Sequence, residues 1–421
     1  MAKVHIKALG CRLNQSEAEQ MAQNFLLSGH EVTQERSEAD LLVVNSCTVT
    51  QEAARKSVKS TKREKASQKV VVTGCHSQVD KEAFKASDLV VDIDQKNSLH
   101  KLSLEKFGLD GLALGMEFQE NQRLQLYPLV QKNTRAFVKV QDGCNLSCTF
   151  CLTTIARGSS RSRPWQQILQ EVQDLESKGC KEVVLTGVHA GAYSDQEKNL
   201  AELIEILMQN TNIARLRLSS LEPWNFKDEW LGLWQKYSTR LCAFFHMSLQ
   251  SGSASVLKRM KRIYTPAEYA RKVALIRKKL PQATLTTDVI VGFPGESEAE
   301  HEESMAFVKK MSFADAHVFS FSPRPGTRAA LMPQTVQEST KTLRSKEIKR
   351  LLLKSKNAYL ESMLDKKMRV LWQGNGVGLS DHFLSVKLKE GSKKPVANSF
   401  SDVIIKELKD KLLIGEIAKH D

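Results

Sequence analysis

The sequence predicts an α/β protein in three parts: a parallel-sheet domain, a barrel or partial barrel of βα units, and a small C-terminal β-barrel. Three observations predict this. Short apolar runs alternate with helical periodicity through residues 1–115 and again from Arg135 onward. A polar, glutamine-rich stretch at 116–134 separates the two blocks and reads as a linker. From about Asp365 the chain turns to short β-rich segments broken by Gly, Asn and Ser, which only make a small barrel. The expected domains are residues 1–115, 130–364 and 365–421.

In the first domain, Val4–Leu9 reads as a strand ending at Gly10-Cys11. Gln15–Ser28 is helical, with Ala18, Met21, Ala22 and Phe25 on one face. Leu41–Asn45 is a buried strand running into Ser46-Cys47, and Lys69–Thr73 is a strand ending at Gly74-Cys75. Cys11, Cys47 and Cys75 thus each follow a strand's carboxyl end. In an open parallel sheet those ends share one edge, where ligand sites gather. A single cysteine there reads as a small buried hydrophobe; three at equivalent strand ends point to a shared metal centre.

The second domain opens with the strand Arg135–Gln141, which leads into Gly143-Cys144-Asn145-Leu146-Ser147-Cys148-Thr149-Phe150-Cys151. Three cysteines in C-x3-C-x2-C spacing can face one metal, and soft sulfur ligands favour zinc or iron–sulfur clusters. A structural zinc wants four protein ligands, whereas a [4Fe–4S] cluster on three cysteines keeps one iron open. Helices Trp165–Lys178, Leu200–Asn210 and Pro266–Lys279 then alternate with strands Lys181–Thr186, Ala214–Ser219, Ala243–Leu249, Thr284–Val291 and Ala314–Phe321. Site residues in such folds come from strand carboxyl ends. The candidates are Thr186-Gly187, Ser219-Ser220, Gln250–Ser253 and Gly292–Glu296. Cys180 and Cys242 read as buried thiols, and His76, His189, His246 and His317 as loop, core or rim residues. The basic stretch Lys341–Lys356 reads as a helix packed on the barrel.

In the third domain, Met368–Trp372, His382–Lys389, Ser401–Leu408 and Lys411–Ala418 read as strands. Lys387, Lys389, Lys393 and Lys394 gather around one loop, as in a nucleic-acid-binding barrel. The net charge of +14 favours a polyanionic partner. No apolar run reaches membrane-spanning length and the N-terminus lacks a signal-peptide core, so a cytoplasmic protein with no membrane partner is expected. Eight cysteines in such a chain suit metal ligation better than disulfides.

The cysteine loop, with Phe150 before its last cysteine, resembles the radical S-adenosylmethionine (SAM) enzymes. Leu9–Asn14, Asn45–Val49 and Thr73–Cys75 resemble the N-terminal domain of one branch of them, the methylthiotransferases. Leu185–Val188, Ser248–Ser253, Met260–Thr265 and Val291–Glu296 are similar to that branch's strand ends, and Gly378–Phe383 to part of its TRAM domain. The resemblance implies a partial (β/α)6 barrel and two [4Fe–4S] clusters, one on Cys144, Cys148 and Cys151 and an auxiliary one on Cys11, Cys47 and Cys75. It implies SAM bound near Phe150, Thr186, Gly187, Gln250 and Arg262, with Arg262 toward the SAM carboxylate. The implied partners are a tRNA anticodon stem-loop and an electron donor such as flavodoxin or ferredoxin. Leu9–Glu17, Cys47–Thr50 and Ala156–Arg163 look most like the bacterial threonylcarbamoyladenosine branch. Arg157 and Arg161 are then the candidates for the substrate carboxylate. The alternatives are an isopentenyladenosine or ribosomal-protein aspartate substrate, or a non-catalytic zinc-dependent RNA-binding protein.

Overall fold

The structure is a computed structural model that describes residues 1–109, 134–374 and 376–418. The expected linker at 116–134 lies, up to residue 133, outside the described residues. The first domain is a parallel sheet of β1 (Lys3–Ala8), β2 (Glu31–Val32), β3 (Leu41–Ser46), β4 (Lys69–Gly74) and β5 (Leu89–Val90), in the order β2-β1-β3-β4-β5. Helices α1 (Arg12–Leu27), α2 (Gln51–Lys59), α3 (Cys75–Val79) and α4 (Leu99–Phe107) accompany it. Every residue of β3 is buried, as suits a central strand covered on both faces. Its side chains divide by parity: Leu41 and Val43 pack with Met21 and Phe25 of α1, whereas Leu42 and Val44 pack with Phe84. This strand order reverses between β1 and β3, the switch point beyond which open α/β sheets bind ligands.

The second domain has six parallel strands: β6 (Arg135–Lys139), β7 (Glu182–Thr186), β8 (Arg215–Leu218), β9 (Phe244–His246), β10 (Thr284–Val291) and β11 (Asp315–Ser320). The triplets β8-β7-β6 and β9-β10-β11 are joined by the parallel bridges Leu216–Leu241 and Leu221–Met247, giving an open barrel. Around it run α5 (Thr153–Arg157), α6 (Trp165–Ser177), α7 (Leu200–Asn210), α8 (Leu231–Lys236), α9 (Ala254–Arg259), α10 (Pro266–Lys279), α11 (Glu298–Met311) and α12 (Glu338–Glu361). Leu203 and Leu207 of α7 and Val273 and Ile276 of α10 share one buried cluster with Val183, Leu216 and Leu285 of the strands. The sequence reading omitted α11, although Ser297 and Glu300 form a capping box at its start. The helix expected at Lys341–Lys356 extends over Glu338–Glu361.

The third domain is a closed five-stranded barrel of β12 (Lys367–Trp372), β13 (Val377–Ser380), β14 (Ser385–Leu388), β15 (Phe400–Lys409) and β16 (Leu412–Ile417), in the order β12-β13-β14-β16-β15. The strand expected over His382–Lys389 is corrected to β14 alone, Ser385–Leu388, and a strand that was not expected, β13, pairs with it across the preceding turn. Phe383 takes a left-handed backbone, φ 62°, which no strand interior accepts. Arg215 and Arg217 of β8 dock this barrel: both are buried, pair with Glu182, and donate to the carbonyl oxygens of Leu379 and Ser380.

Candidate active site

A cavity of about 450 Å³ lies between the carboxyl ends of the barrel strands and the β1/β3 switch point of the first domain. Both cysteine trios line it, as do Phe150, Thr186, Gly187, Gln250 and Arg262. The first trio arrives from three strands. Gly10 takes a left-handed turn, φ 85°, and a Cβ there would overlap Cys47 Sγ, so only glycine lets that sulfur approach the turn before Cys11. The second trio arrives on one loop after β6. All six thiols are free. Burial pushes the Cys47 and Cys144 thiols up to about 11.

Donors are aimed at the sulfurs of both trios. The Val49 N–H lies 3.5 Å from Cys47 Sγ, and Arg157 Nε donates to Cys75 Sγ at 3.1 Å. Across the cavity, the Leu146 N–H lies 3.4 Å from Cys144 Sγ, Arg262 Nη1 3.5 Å from Cys148 Sγ, and Thr154 Oγ1 3.6 Å from Cys151 Sγ. Arg262 also lies over the Trp224 ring, 4.6 Å from its centroid, and its Nε is buried without a hydrogen-bond partner. Phe150 packs edge-on against Phe293.

Two expectations are corrected by this geometry. Arg157 lines the cavity, but its guanidinium is already engaged. It is buried, and donates to Glu17, Asp142 and Asn14 at 2.8 to 2.9 Å besides Cys75. Arg161 is exposed and donates to the Arg157 carbonyl oxygen. The segment Gly292–Glu296 stands behind the cavity wall, where Glu296 accepts from the Gly292 N–H and pairs with Arg344.

Other residues enter the site that sequence reasoning passed over. His189 Nδ1 lies 3.5 Å from Cys144 Sγ, and its Nε2 lies 2.6 Å from Asn225 Oδ1. His246 and His317 flank Asp288 at 3.1 and 3.2 Å, and all three line the cavity with Arg12, Glu222 and Trp224. The ligand-type atoms of His246, Asp288 and His317 lie within 4.8 Å of one another. Asp288 had a readable signal: it is the only acidic residue in the apolar strand Thr284–Val291. The histidines carried none beyond lying on strands.

Comparison with known proteins agrees with this architecture. Residues 138–308 match the Radical SAM superfamily and residues 3–94 the Uncharacterized protein family UPF0004. The chain is 34% identical to the Threonylcarbamoyladenosine tRNA methylthiotransferase MtaB of Thermotoga maritima, over 96% of this chain and 98% of that protein. It is 34% identical to the Bacillus subtilis protein of the same name, over 92% of this chain and 91% of that one. The tRNA-2-methylthio-N(6)-dimethylallyladenosine synthase of Ehrlichia canis is 30% identical over 99% of this chain and all of its own length, 100%. Among solved structures, the radical S-adenosylmethionine methyltransferase TsrM of Kitasatospora setae shares the fold, with a TM-score of 0.56 at 14% identity over 78% of this chain and 75% of that one. With relatives matched end to end and a radical-SAM barrel behind the cysteine loop, this chain belongs to the methylthiotransferase family of radical-SAM enzymes.

Proposed function

We propose that this enzyme adds a methylthio group to C2 of N6-threonylcarbamoyladenosine at position 37 of tRNA. One observation carries the chemistry: a single cavity is walled by two separate cysteine trios, one on each of two domains. The finer choice of substrate is supported by the relatives at 34% identity, which bear that substrate in their names, against 30% for the dimethylallyladenosine synthase.

The residues fit the cofactors such an enzyme needs. Cys144, Cys148 and Cys151 would hold one [4Fe–4S] cluster, and Cys11, Cys47 and Cys75 the auxiliary one. The donors already pointing at these sulfurs are the kind that orient ligands and tune a cluster. SAM would lie against Phe150, Thr186, Gly187 and Gln250, with the unpartnered Arg262 Nε available to an acceptor. Bound there, the clusters and SAM supply the one-electron chemistry and the sulfur that an unactivated C–H bond demands. The chain's own part is positioning. Trp224 and Tyr264 hold the Arg262 guanidinium in place, and Arg157 ties the Cys75 side of the cavity to the barrel. The tRNA would be met by the C-terminal barrel, and an external one-electron donor of the flavodoxin or ferredoxin type is required. Among the described residues no helix is long and apolar enough to cross a membrane.

The test is turnover on matched anticodon stem-loops carrying threonylcarbamoyl- or isopentenyladenosine, alongside the ribosomal protein that other family members modify. Preference for the threonylcarbamoyl stem-loop is expected. Preference for either other substrate would overturn the substrate while leaving the family intact.

A further inference from the structure

Building on the threonylcarbamoyl reading, we propose that Arg12 and His317 form an anion clamp in the cavity wall. The clamp takes the carboxylate of the substrate's threonyl group and thereby selects that substrate over neutral adenosine modifications.

The argument begins with which cations facing the cavity are free. Arg157 is consumed by Glu17, Asp142 and Asn14. Arg262 is held by Cys148, Ser248 and two aromatic rings, and its one unpartnered nitrogen, Nε, is already assigned to SAM. Arg12 is different. Its guanidinium stacks on Phe383 at 4.9 Å, its Nη1 is buried with no hydrogen-bond partner, and no carboxylate pairs with it among the described residues. Its charged neighbours Arg135 and Arg217 crowd the same Phe383 ring, at 5.5 and 5.1 Å. The nearby Glu182 is already engaged by Arg215 and Arg217. A half-buried cation among like charges, with an unmade hydrogen bond, is costly until an anion arrives.

His317 supplies the other jaw. Its Nδ1 meets Asp288 Oδ1 at 3.2 Å, while Asp288 Oδ2 is taken by His246 Nε2 and the Ser248 hydroxyl, each at 3.1 Å. Asp288 therefore fixes the ring with Nδ1–H inward and leaves Nε2 outward. The side chain is 74% exposed, so that edge is open to a ligand. The hydrogen bond to Asp288 is the main cause that raises the His317 pKa; Asp315 adds to this and Arg12 opposes it. Arg12 and His317 line the same cavity, and an anion between them would satisfy both. A carboxylate matches an arginine fork and a single imidazolium donor. A backbone phosphate offers similar chemistry. The clamp, however, lies inside the cavity that both cysteine trios face, where a group attached to the reacting base arrives and a backbone phosphate does not, and the carboxylate of SAM is already assigned to Arg262.

The test compares stem-loops carrying threonylcarbamoyladenosine as the free acid and as its neutral carboxamide. In Arg12→Gln and in His317→Gln, kcat/KM for the acid should fall about 30-fold, the worth of a charge-assisted hydrogen bond. The carboxamide should change by less than about threefold. Arg12→Lys should recover part of the loss, and iron per chain should match the wild type in all variants. His317→Gln, far in sequence from any cysteine, guards against local damage beside Cys11. Equal losses on both substrates, or none, would overturn the clamp. So would equal weakening of binding to an unmodified stem-loop, which marks a phosphate contact. One equivalent of zinc in the holoenzyme that His317→Gln removes would also overturn it, in favour of a metal site. A wild-type preference for the isopentenyl stem-loop overturns the parent reading instead, and is seen before any variant is made.

Discussion

Every side-chain nitrogen of Arg157 is hydrogen-bonded, and its partners belong to both domains: Glu17, Asn14 and Cys75 from the first, Asp142 from the barrel. Glu17 is the hub of this network. It is 4% exposed and also pairs with Lys96 at 2.6 Å and Lys139 at 3.4 Å. Burial alone would raise its carboxyl pKa, but Lys96, Arg157 and Lys139 outweigh burial and hold it well below the ordinary range. Glu17→Gln should therefore leave two buried cations undercompensated and cost about 3 kcal/mol. A lower midpoint in thermal unfolding of the full chain checks this; an unchanged midpoint refutes it. The sign with pH follows from the depressed pKa. The Glu17 contribution is complete above its unfolded pKa of about 4.3 and is lost as pH falls through the folded value. The variant should accordingly lose less stability on acidification than the wild type.

At the scale of elements, the cavity depends on how three strands end. β1 and β3 are neighbours with Val4 opposite Leu41 and Ala8 opposite Asn45, and β3 pairs with β4 up to Ser46 opposite Gly74. In-register parallel strands deliver the residues after them to one edge, which is why Cys11, Cys47 and Cys75 meet. The turn at Gly10 completes the arrangement. Gly10→Ala should displace Cys47, and iron per reconstituted chain should drop by about half, the share of one of two clusters. The remaining half reports that the barrel still folds; full iron would show that the first trio tolerates a Cβ. The strands of the barrel were legible to within three residues at each end because buried parallel strands are near-continuous apolar runs. The turn around Phe383 was not, because an aromatic residue at φ 62° carries no turn signature.

At the scale of the molecule, the C-terminal barrel is bound into the rest through Arg215 and Arg217, whose buried charges need its carbonyl oxygens. Deleting residues 366–421 would strip those acceptors and Phe383 together, so truncation perturbs the catalytic domains as well as any RNA contact. Side-chain replacement is the cleaner test. Lys387, Lys389, Lys393 and Lys394 are exposed, and Lys389 is engaged with Glu416 at 3.2 Å. Changing all four to Ala should lower the salt slope of stem-loop binding by about 2 to 3, at roughly 0.7 per phosphate contact. Lys389→Ala alone should contribute least. An unchanged slope would mean that this face does not meet RNA.

The sequence by itself determined the class of chemistry and the layout of the chain. Cysteine spacing is a local property, and strand ends are marked where apolar runs stop at small or polar residues such as Gly10, Ser46 and Gly74, so both trios were visible before any coordinates. The tertiary structure alone decided which charges are free. Arg157 and Arg12 look alike in the sequence, each close to a cysteine motif. Folding brings Glu17, Asp142 and Asn14 around the first; around the second, among the described residues, it brings a phenyl ring, two arginines and a glutamate already paired elsewhere. The same holds for His317, whose role depends on Asp288 one strand away, in a pairing set by register between β10 and β11. Whether a charged side chain is spent or available depends on partners distant in sequence, because hydrogen bonds act over about 3 Å and only the fold fixes what lies within that reach.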